Sequence, residues 1–251
     1  MTSYPKQFNN SVIKQFDSLT IQQYSNSTMN IKICTPVIGK TLEEFLFNLE
    51  KTQNISDFVE FRVDYISNLS LKDIEIIKSN TNKASIFTCR SRTEGGYFNG
   101  SEDNRIHILQ SAIGVFDYVD IELATIEHHQ FNRNDKTKLI ISYHNFKETP
   151  SYWDMQSIIL KMNSFKPDIL KIATHVAHDY EVGKIYRLLT NKPKNENRID
   201  IGMGETGKMT RILGPLLGSY LTYAATSWGE SAPGQIDLNE LKRVYRSLIN
   251  N

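Results

Sequence analysis

From residue 31 to its end this chain alternates strand-like and helix-like segments without a break in the order, and few folds accept that pattern. Short runs rich in β-branched and aromatic residues fall at about 31–38, 57–64, 84–90, 117–123, 137–143, 168–173, 198–203 and 219–226. Helix-like segments follow them at about 41–54, 70–80, 102–115, 125–133, 151–164, 178–190, 208–216 and 237–249. Thr41 with Glu44 three residues later has the form of a capping box, and Pro150-Ser151 marks the entry to a later helix. A helix after every strand implies parallel strands joined by right-handed crossovers. Eight such units in 251 residues predict a closed α/β fold, a (β/α)8 TIM barrel over residues 31–251, with a doubly wound open sheet as the structural alternative.

Residues 1–30 stand apart. They are rich in Asn, Gln and Ser, show no clear period, and read as a mobile polar N-terminal extension. Met29 sits just before the first strand-like run, so the core is expected to begin there and to keep its function without residues 1–28. Hydrophobic residues at 39% and charged residues at 23% allow a sizeable core. A formal net charge of +1 gives no basis for a nucleic-acid or anionic-membrane partner. Cys34 and Cys89 are too few for a disulfide framework and lack metal-ligand spacing, so buried free thiols are expected. No apolar run reaches membrane-spanning length, and the first residues lack a basic-then-apolar leader, so a cytoplasmic protein is expected.

Side chains alternate between the two faces of a strand. In 57–64, Val59, Phe61 and Val63 share one face, while Glu60, Arg62 and Asp64 share the other. The same arithmetic groups Thr88 with Arg90, Ser142 with His144, and Ile169 with Lys171 and Ala173. The apolar sets should meet the surrounding helices, and the charged sets should point into the barrel or its mouth, where active sites of this fold lie. On spacing alone, Glu60 and Arg62 fit a structural ion pair as well as a binding role. Arg90 fits a surface residue, and His144 fits a strand-end histidine. Lys171, in the middle of Ile169-Leu170-Lys171-Ile172-Ala173, fits an ordinary solvated lysine least.

A lysine amine in a low-dielectric pocket near other cations loses part of its preference for the charged form and can attack a ketone to form an imine. The protonated imine withdraws electrons from the neighbouring carbon. A histidine can then remove a proton there, and a β-hydroxyl can leave as water. Arginines would hold a substrate carboxylate. The reaction class is a Schiff-base lyase or an aldolase acting on a small oxygenated acid.

The residues also resemble a known family. Glu60-Phe61-Arg62-Val63-Asp64, Thr88-Cys89-Arg90 with Glu94-Gly95-Gly96, Ser142-Tyr143-His144-Asn145-Phe146, Lys171-Ile172-Ala173, Gly207 through Arg211, and Ser231-Ala232-Pro233-Gly234-Gln235-Ile236 are similar, in order, to motifs of type I 3-dehydroquinate dehydratase. The likeness spans roughly residues 31–245. It implies that Lys171 forms the imine, that His144 is the general acid and base, and that Glu94 orients His144. It further implies that Arg211 binds the substrate carboxylate, that Glu60, Arg62 and Arg90 surround the substrate hydroxyls, and that Ser231 and Gln235 belong to a loop closing over the site. No metal or added cofactor is implied, and a homodimer is. The chain departs from many relatives after the lysine, where it reads Thr174-His175-Val176-Ala177, and at the seventh strand, where Ile201 and Met203 stand in place of two methionines. His175 is an extra histidine near these motifs and reads as a loop residue.

Gly202 through Met209 has the glycine and lysine spacing of a phosphate-binding P-loop, but Met209 stands where a serine or threonine should hold magnesium. As a barrel element, this turn would instead feed a helix start beside Arg211, where the substrate carboxylate would approach. Two rivals remain on sequence grounds: another Schiff-base aldolase on the same fold, and a noncatalytic barrel used for binding or regulation.

Overall fold

The computed structural model describes residues 31–249; the extension expected at 1–30 lies outside the described residues. The strands are β1 (Ile33–Val37), β2 (Phe58–Arg62), β3 (Ala84–Thr88), β4 (Tyr118–Glu122), β5 (Lys138–Asn145), β6 (Ile169–His175), β7 (Arg198–Met203), β8 (Thr222–Ala225) and a two-residue β9 (Ile236–Asp237). The helices are α1 (Leu42–Gln53), α2 (Leu71–Ser79), α3 (Glu102–Ala112), α4 (Leu123–Ile126), α5 (Tyr152–Ser164), α6 (Asp179–Thr190), α7 (Lys208–Leu213) and α8 (Leu238–Ile249). Neighbouring strands from β1 to β7 pair in parallel and in chain order, and β8 pairs with β1. Between β7 and β8 the ring closes through a single bridge, Arg198 to Ser219, with the Tyr220 amide donating to the Arg198 carbonyl at 2.7 Å. The expected barrel is therefore the observed one.

Period-two patterning explains how the strands fill it. Cys34, Phe58, Ile86, Tyr118, Ile140, Ile169, Ile199 and Leu221 pack together as an apolar floor inside the barrel. Two residues further along β2 to β6 come Glu60, Thr88, Asp120, Ser142 and Lys171, all buried. Two residues further again come Arg62, Arg90, Glu122 and His144 at the mouth. The intervening residues, among them Val59, Phe61, Phe87, Val119, Ile121, Ile141 and Ile172, face outward and pack with Leu49, Ile77, Leu109 and Met162 of the helices. Each such buried side chain contributes about 1.5–3 kcal/mol.

Local signals behave as the sequence suggests, with three departures. The Thr41 hydroxyl accepts the Glu44 amide at 3.2 Å, but the Glu44 carboxylate takes the Lys40 amide at 2.7 Å rather than that of Thr41. The helix expected at 125–133 is only the single turn α4, because Glu127 to Asp135 carries a single apolar residue, Phe131, and one side chain makes no helical stripe. The helix expected at 208–216 ends at Leu213, where Pro215 lacks an N–H to continue it and starts a short 3-10 turn instead. The ninth strand was not foreseen. It adds to the upper half of β8, opposite Ala224 and Ala225, and so carries the loop before it over the barrel mouth. Cys34 and Cys89 are buried and free, and no helix among the described residues is long and apolar enough to cross a membrane.

Candidate active site

All nine side chains singled out from the sequence line one cavity at the C-terminal ends of the strands: Glu60, Arg62, Arg90, Glu94, His144, Lys171, Arg211, Ser231 and Gln235. The cavity is narrow, with room of about 40 Å³, and opens to solvent beneath the loop that precedes β9. A larger groove of about 440 Å³ is bordered by Tyr65, Tyr97 and His107, but none of the nine lines it.

Lys171 is placed by register. It sits opposite Ser142 of β5 and Ile199 of β7, with its side chain turned inward above the apolar floor. Its Nζ donates to Asp120 Oδ2 at 2.9 Å and to Glu60 Oε1 at 3.3 Å, and lies 4.7 Å from the centre of the Tyr223 ring. The nearest charges to this amine are thus carboxylates, where other cations were anticipated.

His144 lies two residues beyond Ser142 on the same face. Its Nδ1 is 2.8 Å from Glu94 Oε2, and its backbone amide donates to the same oxygen at 2.9 Å. Glu94 reaches it from a 3-10 turn after β3 that ends in two glycines. Gly95 adopts φ +79°, and a Cβ on Gly96 would overlap the Arg90 carbonyl, so the turn closes tightly only with these residues. Burial holds the His144 imidazole well below its ordinary value, assisted by Arg90 and Lys171. Burial also pushes the Glu94 carboxyl up, to about 8, against the opposing pull of Arg90.

The arginines divide into two kinds. Arg62 grips Asp64 with two hydrogen bonds of 2.8 Å and donates to the Ser231 carbonyl at 3.2 Å. Arg90 is paired with Asp120 at 2.8 Å and Glu122 at 3.1 Å. Arg211 differs: it is buried, and among the described residues its Nε has no partner and its guanidinium makes one hydrogen bond, a 3.4 Å contact to the Pro233 carbonyl. Burial pulls its guanidinium down to about 10. A cation with free donors in a cavity is suited to an incoming carboxylate.

The loop over the mouth is tied at several points. The Ser231 amide donates to Gln235 Oε1 at 3.0 Å, and the Gly204 amide donates to the Pro233 carbonyl at 3.2 Å. The P-loop-like turn engages its polar groups internally. The Gly202 amide donates to the Thr210 hydroxyl at 2.8 Å, and Lys208 pairs with Glu205. His175 ends β6 as a strand residue rather than a loop residue, and does not line the cavity.

Sequence reasoning passed over Asp120, Glu122 and Tyr223. The signal for the first two was present: Val119 and Ile121 alternate with Asp120 and Glu122 just as Val59 and Phe61 alternate with Glu60 and Arg62. Glu122 accepts Arg90, the Ser91 amide at 2.9 Å, and Arg105 of α3 at 2.9 Å, linking the site to the outer helices.

Fold and site together define a (β/α)8-barrel protein whose mouth gathers a buried lysine and a histidine braced by a carboxylate. The model of the type I 3-dehydroquinase family matches residues 33–251, and the chain belongs to that family. A 3-dehydroquinate dehydratase of Coxiella burnetii (strain Dugway 5J108-111) is 44% identical over 216 residues, covering 86% of this chain and 92% of that protein. One from Methanocaldococcus jannaschii is 38% identical over 220 residues, covering 85% and 97%. Among solved structures, a type I 3-dehydroquinate dehydratase from Clostridium difficile with covalently modified comenic acid superposes with a TM-score of 0.75 at 26% identity, covering 88% of this chain and 92% of that one. The Aquifex aeolicus VF5 enzyme gives a TM-score of 0.72 at 29% identity, covering 88% and 100%.

Proposed function

We propose that this chain is a hydro-lyase that dehydrates 3-dehydroquinate to 3-dehydroshikimate through an imine on Lys171, the third step of the shikimate pathway toward chorismate and the aromatic amino acids. The observation that carries this reading is the convergence in one cavity of a buried amine, an imidazole braced by a carboxylate, and an arginine with unpaired donors. Arg211 takes the substrate carboxylate, and Glu60, Arg62 and Arg90 surround its hydroxyls. The Lys171 amine attacks the ketone carbon, and the carbonyl oxygen leaves as water with protons delivered through His144. His144, neutral because burial disfavours its charge, then removes the proton beside the iminium carbon. The resulting enamine expels the β-hydroxyl, which His144 protonates, and hydrolysis releases the conjugated product and the free lysine. The loop bearing Ser231 and Gln235 covers the site while the imine persists.

Family resemblance supports a homodimer acting in the cytoplasm, without a cofactor, and a catalytic domain that starts after residue 30.

Incubation with 3-dehydroquinate should produce the ultraviolet absorbance of the conjugated enone. Borohydride added during turnover should leave a substrate-derived mass on Lys171. Lys171→Ala should show neither, since no other amine replaces the nucleophile. Turnover retained in that variant, or an adduct on another residue, would remove the reading.

A further inference from the structure

We propose that Asp120 is a positioning residue for Lys171, aiming the amine and serving as its counter-ion both before and after the imine forms. The inference rests on the imine chemistry proposed above and concerns a residue outside the set that the sequence motifs single out.

Asp120 lies on β4 and is 1% exposed. Both of its oxygens are committed. Oδ1 accepts the Ser142 hydroxyl at 2.6 Å, while Oδ2 accepts Lys171 Nζ at 2.9 Å and Arg90 at 2.8 Å. Arg90 also donates to the Ser142 oxygen at 2.8 Å, so arginine, serine and carboxylate form a closed ring. That ring fixes the plane of the carboxylate, and with it the direction of the lone pair on which the amine rests. Burial by itself would favour the neutral acid, but Arg90 and Lys171 outweigh it and hold Asp120 well below the usual carboxylate range. Asp120 therefore stays charged and does not take up the lysine's proton.

The charge balance of the step explains why a fixed anion belongs here. An ammonium and a ketone combine to give a protonated imine and one water: a C–N bond replaces the C–O bond, and the net charge is unchanged. The positive charge sits at the same nitrogen at the start and at the end, and only the intervening free amine and carbinolamine lack it. A buried anion held by other donors stabilises both charged states without moving. Glu60, whose Oε1 also accepts the Thr88 hydroxyl at 3.1 Å, is the secondary partner at the longer distance.

The amine is faced by groups from around the barrel wall. Glu60 from β2, Asp120 from β4 and Tyr223 from β8 touch it. His144 from β5 and Cys34 from β1 lie within electrostatic range, and Arg90 after β3 shares Asp120 Oδ2 with the amine.

The test uses the full chain and 3-dehydroquinate. Asp120→Asn keeps the shape and drops the charge. It should lower kcat by about 100-fold, a loss of the size seen when a pre-aimed polar group is removed, with a smaller change in KM. Borohydride trapping of the substrate on Lys171 should slow in parallel, because the amine is no longer aimed at the ketone. A merely structural aspartate would reduce the fraction of active protein and leave the trapping rate per active site unchanged. Ser142→Ala frees Oδ1 without changing any charge and should lower kcat by about tenfold. It carries the decision if Asp120→Asn does not fold. An unchanged trapping rate per active site in Asp120→Asn, or wild-type kcat in Ser142→Ala, would overturn the inference while leaving the imine chemistry intact. Failure of the unaltered enzyme to form a borohydride adduct would instead overturn both.

Discussion

Burying a guanidinium without a counter-ion costs several kcal/mol, and Arg211, which lines the cavity, bears that cost with an unpaired Nε among the described residues. Binding and stability should therefore separate at this position. Arg211→Met is expected to raise KM by about 10- to 100-fold, the worth of a charged hydrogen bond, while raising the melting temperature. Steady-state kinetics and thermal denaturation on one preparation check both halves. Glu94 and His144 make a second residue-scale case. With Glu94 pushed up to about 8 and His144 held low, the pair at neutral pH carries more protons than the basic form requires. The free imidazole nitrogen is exposed for catalysis once that pair loses a proton. The value of kcat/KM should thus rise as pH increases toward about 8, and Glu94→Gln should flatten the rise and cost about tenfold or more in kcat. A pH–rate comparison of the two proteins tests this.

At the scale of elements, the loop before β9 shows how a short pairing controls access. Gly234 adopts φ +77°, and a Cβ there would overlap the Gly204 carbonyl at the end of β7. Gly234→Ala should cost about 1–2 kcal/mol in the covered state. Because the loop lies outside the barrel core, the loss is expected as a lower kcat/KM with an almost unchanged melting temperature. Equal falls in both would mean that the loop is part of the cooperative core. The β3 turn behaves differently. Its glycines carry Glu94 to His144, fifty residues away in sequence, so substitutions there should act on the rate through that brace.

For the whole molecule, β7 carries an opposing feature on its outer face. Asp200 is buried, neither of its oxygens has a hydrogen-bond partner among the described residues, and burial pushes it up to about 7 despite Arg198. Its folded value lies above its unfolded one. The stability associated with the protonated form is therefore fully present below about pH 4 and is lost as pH rises through about 7, a total of about 4 kcal/mol. Asp200→Asn removes this titration. The difference in melting temperature between Asp200→Asn and the unaltered protein should therefore shift in favour of the variant between pH 4 and pH 8. A difference independent of pH would mean that Asp200 is paired in solution.

By itself the sequence determined the barrel and the inward faces of β2, β3, β5 and β6, because a period of two and a strict alternation of elements are local properties that survive without knowledge of the fold, whereas Glu94, Arg211, Ser231 and Gln235 came from the resemblance of their motifs to a known family. It showed that Glu60, Arg62, His144 and Lys171 point inward, but not which charges meet. Only ring closure brings Asp120 of β4 and Glu60 of β2 to the amine of β6, and only the glycine turn after β3 brings Glu94 to β5. The unpaired state of Arg211, the shortened α4 and the two-residue β9 were likewise decided in three dimensions. Each depends on distances between segments far apart in the chain, and no local pattern encodes such distances.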